Sequence, residues 1–190
     1  MNKKLSTSDM VFCSIFAALA VVFSYIRIPL PFSPVPVTLQ TLAVMLAGSL
    51  LPPDTAFLSM LVYVIMRLVG LPFSAPGPAG FGLLLGPTGG YIISWPLGAY
   101  TIASLLKSGD PSLSKLFLSN ALGGILLVDT LGTLYLSFIT GMKLPAAVIA
   151  GMLPFIPGDI LKAVFASVLA FSLRKNKAIL FDNRKGRLYN

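Results

Sequence analysis

The stretch Ser112–Ile139 reads SLSKLFLSNALGGILLVDTLGTLYLSFI, in which Lys115 and Asp129 carry the charges. A run of about 20 apolar residues, rising about 1.5 Å per residue, crosses the hydrocarbon core of a bilayer as a helix. This stretch is longer than that minimum, so we expect a helix that tilts or projects beyond the bilayer. It indicates a protein that folds in lipid.

The composition of the whole chain indicates the same solvent. Of the 190 residues, 56% are hydrophobic and 11% are charged, and the mean hydropathy is +0.88. Soluble globular domains carry about 25% charged residues, and a small domain cannot hide this much apolar surface from water. The composition therefore excludes a soluble enzyme, a disordered protein and a collagen-like chain.

Six apolar runs predict membrane helices. They are Asp9–Tyr25, Val37–Leu51, Thr55–Leu71, Gly89–Leu106, Ser112–Ile139 and Pro145–Leu173. The second run is short, so we expect it to be re-entrant or poorly tilted. The first follows a basic N-terminus like that of a signal peptide but lacks a small-residue cleavage site, so we expect it to be retained. We predict an all-α, polytopic six-transmembrane-helix bundle over residues 1–174, followed by a basic tail over residues 175–190.

The basic residues set the expected orientation. With a cytoplasmic N-terminus, the outer loops receive Arg27 and Lys143, and the inside receives Lys3, Lys4, Lys107, Lys115, Arg174, Lys175, Lys177, Arg184, Lys185 and Arg187. Such a positive-inside bias predicts that both termini are cytoplasmic. It also accounts for the net charge of +8 without nucleic acid, although we expect the tail to be attracted to anionic lipid.

The ionisable residues exclude most catalytic chemistry. The six acidic residues are all Asp, and the chain has no His. Without His there is no Ser–His–Asp or Cys–His unit and no imidazole metal site, and the single Cys13 excludes a multi-Cys cluster. We therefore expect no enzyme, no metal and no cofactor in this chain. A membrane enzyme that uses Asp129 and Asp159 as acid and base is the alternative that these counts disfavour.

Four charged residues remain inside the expected helices, namely Arg67, Asp129, Asp159 and Lys162. A charge inside a bilayer is costly and marks a functional candidate. At helical rise, Arg67, Asp129 and Asp159 lie about 18–22 Å from the cytoplasmic ends of their helices. They therefore fall in the outer half of the membrane, as does Gln40. They predict a pocket that opens outward. We interpret Arg67 as snorkelling to the outer interface, and Asp129 as its possible partner.

Two connections rich in Pro or Gly lie at the same level. Ile28–Pro36 forbids a helix and favours an extended path. Pro72–Gly90 is apolar and irregular, and such backbone at membrane depth packs against protein or a cavity. We interpret this second connection as a lid or wall of a binding site. The alternative is a connector folded over the helix ends.

Asp159 and Lys162 are spaced i,i+3 and share one helix face. They are either a mutually neutralising pair without a ligand or part of the pocket. Pro154, Pro157 and Gly158 loosen the helix just before them, and a buried pair is a poor stability device because desolvation offsets the Coulomb gain. We therefore favour a role in the pocket.

The first helix carries pairs of small residues one turn apart, Cys13/Ala17 and Ser14/Ala18 among them. Such a flat face lets another helix approach closely. The pattern is equally consistent with a contact inside the bundle and with an external partner.

Three motifs make the sequence recognisable: Pro31-Phe-Ser-Pro-Val-Pro-Val-Thr-Leu-Gln-Thr-Leu-Ala-Val-Met-Leu-Ala-Gly48, Leu84-Leu-Gly-Pro-Thr-Gly-Gly-Tyr91 and Leu153-Pro-Phe-Ile-Pro-Gly-Asp-Ile-Leu-Lys-Ala163. In this order and spacing the chain resembles the biotin-specific S components (BioY family) of energy-coupling-factor (ECF) transporters over residues 9–174.

The resemblance implies a six-helix protein in the cell membrane of a prokaryote that captures biotin from outside. A transmembrane coupling protein and ATPase subunits supply the energy. This chain has no Gly-x-x-x-x-Gly-Lys-Ser/Thr loop, so ATP is used only by the partners. S components dock the coupling protein through small residues of the first helix, usually Ala-x-x-x-Ala; here the candidates are Cys13, Ser14, Ala17 and Ala18. A stand-alone secondary carrier is the alternative.

The resemblance also implies the ligand contacts. Asp159 and Lys162 stand in the Gly-Asp-x-x-Lys motif. A carboxylate accepts from ureido N–H groups of biotin, and a cation suits either the ureido carbonyl or the biotin carboxylate, so the end that meets Lys162 stays open. The expected contacts are Asp159, Lys162, Gln40, Gly86, Thr88, Gly90 and Tyr91, with Tyr91 and Trp95 packing on the apolar parts.

Overall fold

The structure, a computed structural model, describes residues 6–71 and 80–175. These residues are mostly helical, as predicted. The helices are α1 (Thr7–Ser24), α2 (Gln40–Leu50), α3 (Pro53–Val69), α4 (Phe81–Leu84), α5 (Gly89–Leu105), α6 (Leu113–Thr140), α7 (Leu144–Gly151) and α8 (Ile156–Lys175). Residues 72–79 of the expected lid or wall, Lys3, Lys4 and residues 176–190 of the expected tail lie outside the described residues.

Three of the described helices, α1, α6 and α8, are long and apolar enough to cross a membrane. The first of them begins at a capping box. The Ser6 hydroxyl accepts a hydrogen bond from the Asp9 backbone N–H at 3.2 Å, and the Asp9 carboxylate accepts one from the Ser6 backbone N–H at 3.0 Å. This exchange satisfies N–H groups that have no partner within the helix.

The second helix begins later than predicted because its expected first residues form a strand. Strand β2 (Val37–Thr38) pairs antiparallel with β1 (Arg27–Ile28), which follows α1. The Pro-rich connection between the two strands is not helical, in keeping with its prolines. The expectation of an extended path is wrong, because the chain turns at Pro31–Phe32, where the Ser33 N–H bonds the Leu30 carbonyl at 3.3 Å. This ribbon covers one end of the helices.

The short helix α2 lies in the centre of the bundle. Every residue from Leu42 to Leu50 is buried, and the helix packs against α1, α3, α5, α6 and α8. Protein rather than lipid surrounds it. An 11-residue helix is therefore tolerated even though it is too short to span a bilayer by itself.

Helix α6 is continuous but changes its winding in the middle. Residues Leu113–Asn120 are α-helical, Ala121–Leu127 form a π-helix, and Val128–Thr140 are α-helical again. The π segment packs closely through glycines, since a Cβ at Gly123 would lie 2.5 Å from Ile102 Cγ1 and one at Gly124 would lie 2.7 Å from Met45 Cγ. A π turn holds one more residue than an α turn, so it rotates the side chains that follow.

The prediction of one helix over Pro145–Leu173 is wrong, because the chain breaks between α7 and α8. Pro154 and Pro157 have no N–H group to continue the helical ladder. The N–H of Leu153 bonds the carbonyl of Val148 at 3.0 Å, and the N–H of Phe155 bonds the carbonyl of Met152 at 3.0 Å. The chain thus makes a tight turn and starts a new helix just before Asp159.

A group of polar residues connects α2, α6 and α8 near the C-terminal end of α2. The Ser49 hydroxyl donates to Asn120 Oδ1 at 3.0 Å, and Asn120 Nδ2 donates to Ser167 Oγ at 3.1 Å. Arg174 Nε donates to the Ser49 carbonyl at 2.8 Å. These bonds connect α2, α6 and α8 about 12 Å along α2 from Thr41, at the rise of a helix.

Candidate functional site

A cavity of about 280 Å³ lies where one end of the helices meets the ribbon. Its wall combines β1 and β2, the first turn of α2, the last turn of α3, the start of α5, the middle of α6 and the first turns of α8. Its volume is close to the roughly 300 Å³ of the smaller ligand pockets in proteins. The two Pro- or Gly-rich connections contribute Pro34–Thr38 and Gly86–Thr88 to the wall.

Most of the predicted contact residues meet in this wall. The lining includes Gln40, Gly86, Thr88, Tyr91, Asp159 and Lys162. Gly90 does not line the cavity, because it lies where α5 packs on α6. A Cβ there would overlap the Tyr135 side chain, so this glycine permits helix contact instead of ligand contact.

Asp159 and Lys162 form a buried salt bridge with a third partner. Lys162 Nζ lies 2.8 Å from Asp159 Oδ1, and the two side chains are 10% and 3% exposed respectively. The Thr41 hydroxyl donates to Asp159 Oδ1 at 2.9 Å and accepts from Lys162 Nζ at 3.0 Å. Asp159 also stands in the first turn of α8, where the positive end of the helix dipole favours a carboxylate. We call Thr41, Asp159 and Lys162 the polar triad.

Gln40 is held on the neighbouring wall by two bonds. Its Nε2 donates to the Tyr63 hydroxyl and, at 3.4 Å, to the Ala20 carbonyl. The Tyr63 ring in turn packs at 5.5 Å, centroid to centroid, on Trp95. The amide is therefore oriented by α1 and α3.

Tyr91 closes the break between α7 and α8. Its hydroxyl donates to the Gly151 carbonyl at 2.5 Å, lies 3.2 Å from Thr133 Oγ1, and its ring meets Phe155 edge to face at 6.3 Å. The Gly151 carbonyl lies in the last turn of α7, where carbonyls lack helical partners. Tyr91 thus presents its ring to the cavity and uses its hydroxyl to hold the backbone.

Two further charged residues also line the cavity. Arg67 is 3% exposed and Asp129 is 2% exposed. The interpretation of Arg67 as a snorkelling side chain is wrong, because the side chain turns into the protein. Among the described residues, Asp129 Oδ2 and the indole nitrogen of Trp95 are buried without a hydrogen-bond partner. Asp129 and Arg67 thus line the same cavity, while their pairing stays a prediction.

The sequence did not single out Thr41 and Tyr63 as site residues. Tyr63 stands one helical turn before Arg67, so the i,i+4 spacing to a charged candidate was an available signal. Thr41 had no such signal. It is one residue from Gln40, about 100° around the helix. It becomes a site residue because α8 brings Asp159 and Lys162 within hydrogen-bond distance of its hydroxyl.

The four small residues predicted on α1 divide between two faces. Cys13 and Ala17 are 7% and 2% exposed, and Cys13 Sγ lies 3.4 Å from the Thr55 carbonyl of α3. Ser14 and Ala18 are exposed. The Cys13/Ala17 step is therefore a contact inside the bundle, and the Ser14/Ala18 step remains open to another helix.

The site combines charges of both signs with aromatic surface and a narrow volume. Such an arrangement suits a small molecule that has an apolar body and also carries N–H or carbonyl groups.

Comparisons with known proteins agree over nearly the whole chain. The model of the BioY family matches residues 1–178. The chain is 37% identical over 171 residues to the probable biotin transporter BioY of Bacillus subtilis strain 168, covering 89% of this chain and 91% of that protein. It is 34% identical over 173 residues to the biotin transporter BioY of Rhizobium etli, covering 87% and 92%.

The fold is also similar to a solved structure. The match is to a crystal structure described as the S-component for biotin from an ECF-type ABC transporter, with a TM-score of 0.82 and 31% identity, and it covers 90% of this chain and 95% of that one. Sequence and fold thus agree over most of the chain, and this chain belongs to the BioY family.

Proposed function

We propose that this chain is the substrate-binding S component of an ECF transporter, which captures biotin from outside the cell and passes it to an ATP-driven module. The observation that carries the proposal is the polar triad in the wall of a narrow cavity. The relatives are named as biotin transporters. The chain then acts as a membrane transport protein and not as an enzyme.

The triad suits the ureido ring of biotin. Lys162 offers N–H donors for the ureido carbonyl, and Asp159 accepts from a ureido N–H. In the structure, Asp159, Lys162 and Thr41 form hydrogen bonds with one another. Hydrogen bonds to charged groups contribute about 1.5–3 kcal/mol each. Binding is therefore favourable only for a ligand whose own hydrogen bonds replace all those that the triad residues give up.

The rest of the ligand fits the other walls. Trp95, Tyr91 and Phe155 supply apolar surface for the fused rings and the aliphatic chain. Arg67, in the last turn of α3, and Arg27, in the ribbon, both line the cavity. We assign the ureido ring to the triad and the biotin carboxylate to these two cations.

The proposed membrane arrangement has six spans, formed by α1, α2, α3, α5, α6 and the α7–α8 pair, over residues 1–174. The ribbon and residues Gly86–Thr88 lie at one end of the bundle. Lys107, Lys115 and Arg174 mark the opposite end, which by the positive-inside rule is cytoplasmic. Both termini and the tail of residues 175–190 are then inside the cell, in the plasma or inner membrane of a prokaryote, and the cavity opens outward.

The partners of the proposed function are the coupling protein and its ATPase subunits. The exposed Ser14/Ala18 step on α1 is the surface that we assign to the coupling protein. Close helix approach across small residues is the usual basis of helix packing in lipid.

Calorimetric titration of the purified, detergent-solubilised chain tests the proposal. We expect one-to-one binding of biotin and none of thiamin or riboflavin. Asp159→Asn should weaken biotin binding at least tenfold, whereas Asp110→Asn, in an exposed loop, should have no effect. Absence of biotin binding by the folded wild type would refute the function, and equal affinity of Asp159→Asn would refute the site.

A stand-alone secondary carrier is the second candidate. It is favoured by two buried carboxylates in one cavity, Asp129 and Asp159, because ionisable groups at membrane depth serve ion coupling. Biotin uptake into liposomes that hold this chain alone, under an ion gradient, decides between the two. Gradient-driven uptake without the ATPase partners would establish the carrier.

A further inference from the structure

Asp129 is the cavity carboxylate that the polar triad does not use. Its side chain is 2% exposed, and among the described residues its Oδ2 is buried without a hydrogen-bond partner. Asp159, by contrast, is bonded to both Lys162 and Thr41. A buried carboxyl oxygen without a hydrogen-bond partner lowers stability. Asp129 Oδ2 is therefore an acceptor that a bound ligand can satisfy.

The winding of α6 places Asp129 in the cavity wall. The π segment ends at Leu127, two residues before it. An α-helix turns by about 100° per residue, so removal of the extra residue of a π turn would rotate Asp129 by about that angle. The buried face after the π segment consists of Val128, Asp129, Gly132, Thr133 and Leu136. A carboxylate in the wall is thus a consequence of the irregular winding.

The position of Asp129 is related to the triad. Asp129, Asp159 and Lys162 all line the same cavity. Asp129 belongs to α6, and the other two belong to α8. The same region is therefore lined by carboxylates from two different helices.

The ureido ring has a geometry that requires two such walls. Its two N–H groups stand on opposite sides of the carbonyl and point away from each other. One carboxylate can reach one of them, and Asp159 Oδ1 already accepts hydrogen bonds from Lys162 and Thr41. A second acceptor on another helix is needed if both N–H groups are to be bonded in a buried site.

We propose that Asp129 is this second acceptor, so that the site selects ligands with an N–H group on both ureido nitrogens. This inference rests on the proposed function. It makes Asp129 a specificity-determining residue. Asp159 and Asp129 accept hydrogen bonds from the N–H groups on opposite sides of the ureido ring, and Lys162 donates to the carbonyl.

The test compares biotin with its two derivatives methylated at one or the other ureido nitrogen. Calorimetry on the full chain in detergent would use the wild type, Asp129→Ala, Asp129→Asn and Asp159→Asn. The wild type should bind each derivative at least tenfold more weakly than biotin. Asp129→Ala should bind biotin about 10- to 100-fold more weakly, the loss expected for a hydrogen bond to a charged group.

The decisive result is the pattern across the derivatives. Asp129→Ala should no longer distinguish biotin from one of the two derivatives, because the alanine leaves room for the methyl group, and should still reject the other. Asp159→Asn should discriminate less strongly than the wild type against the other derivative, the one that Asp129→Ala still rejects. Asp129 variants that bind biotin within threefold of the wild type, or that reject both derivatives as before, would overturn the inference. A wild type that binds no biotin would instead refute the function itself.

Thermal unfolding of the ligand-free variants separates ligand recognition from a structural role. Because Asp129 Oδ2 is buried without a hydrogen-bond partner, the melting temperature of Asp129→Asn should equal or exceed that of the wild type. Asp110→Asn serves as the surface control. A lower melting temperature in both Asp129 variants would show that the carboxylate stabilises the fold, and the inference would fail.

Discussion

Loss of one member of the Asp159–Lys162 pair should destabilise the protein far more than loss of both. The two charges lie 2.8 Å apart and their side chains are 10% exposed or less. Removal of one partner of such a buried pair typically costs about 3–5 kcal/mol, because the other charge stays buried, whereas apolar replacement of both is often neutral. Thr41 still bonds the remaining charge, so we expect about 3 kcal/mol for Lys162→Met alone.

The assay is a double-mutant cycle. The free energy of unfolding would be measured by sodium dodecyl sulfate titration in mixed micelles for Lys162→Met, Asp159→Leu and the double variant. We expect the double variant to lie within about 1 kcal/mol of the wild type, so that the coupling between the two sites is at least about 2 kcal/mol. All three variants should lose biotin binding.

Two results would refute this reasoning. If the effects of the single substitutions added up in the double variant, the two charges would not be energetically coupled in the folded protein. If the double variant bound biotin with wild-type affinity, the pair would serve only its own neutralisation, which is the alternative that the sequence left open.

Three other predictions concern the neighbours of the pair. Thr41→Val should weaken biotin binding about tenfold in calorimetry, and Thr41→Ser should restore it, since the serine keeps the hydroxyl. Tyr91→Phe should lower the free energy of unfolding by about 1–3 kcal/mol in the same micelle titration, because the Gly151 carbonyl loses its buried donor. Gly132→Ala should cost about 1–3 kcal/mol through overlap with the Tyr91 ring, while Gly82→Ala, whose Cβ meets nothing within 4 Å, should cost less than 1 kcal/mol; equal losses would contradict the close packing.

The sequence was sufficient for the helical class, the family and the meeting of Asp159, Lys162 and Gln40, because composition and motif spacing are local properties. The direction of the Arg67 side chain was not predictable. A long cationic side chain near a helix end can reach the interface or the interior, and the local sequence does not decide between them.

The errors in helix boundaries have a similar physical origin. Pro154 and Pro157 indicated a weakened helix, but the break also depends on Tyr91, which satisfies the carbonyl that the break leaves without a helical partner. The π segment of α6 has no local signal, because its hydrogen bonds follow from packing of Gly123 and Gly124 against α5 and α2. Gly90 stood in a ligand motif and serves helix packing instead.

The central position of α2 constrains how the chain is assembled in the membrane. At about 17 Å, α2 is much shorter than the roughly 30 Å of hydrocarbon that an inserting segment must cross. Only Leu51 and Pro52 separate it from α3, so the two helices are expected to enter the bilayer together as a hairpin. The α8 residues that bond the Thr41 hydroxyl and the Ser49 carbonyl are synthesised after all the other described helices. The core of the described bundle is therefore completed only after α8 has left the ribosome, and until then the polar groups at both ends of α2 lack their partners on α8.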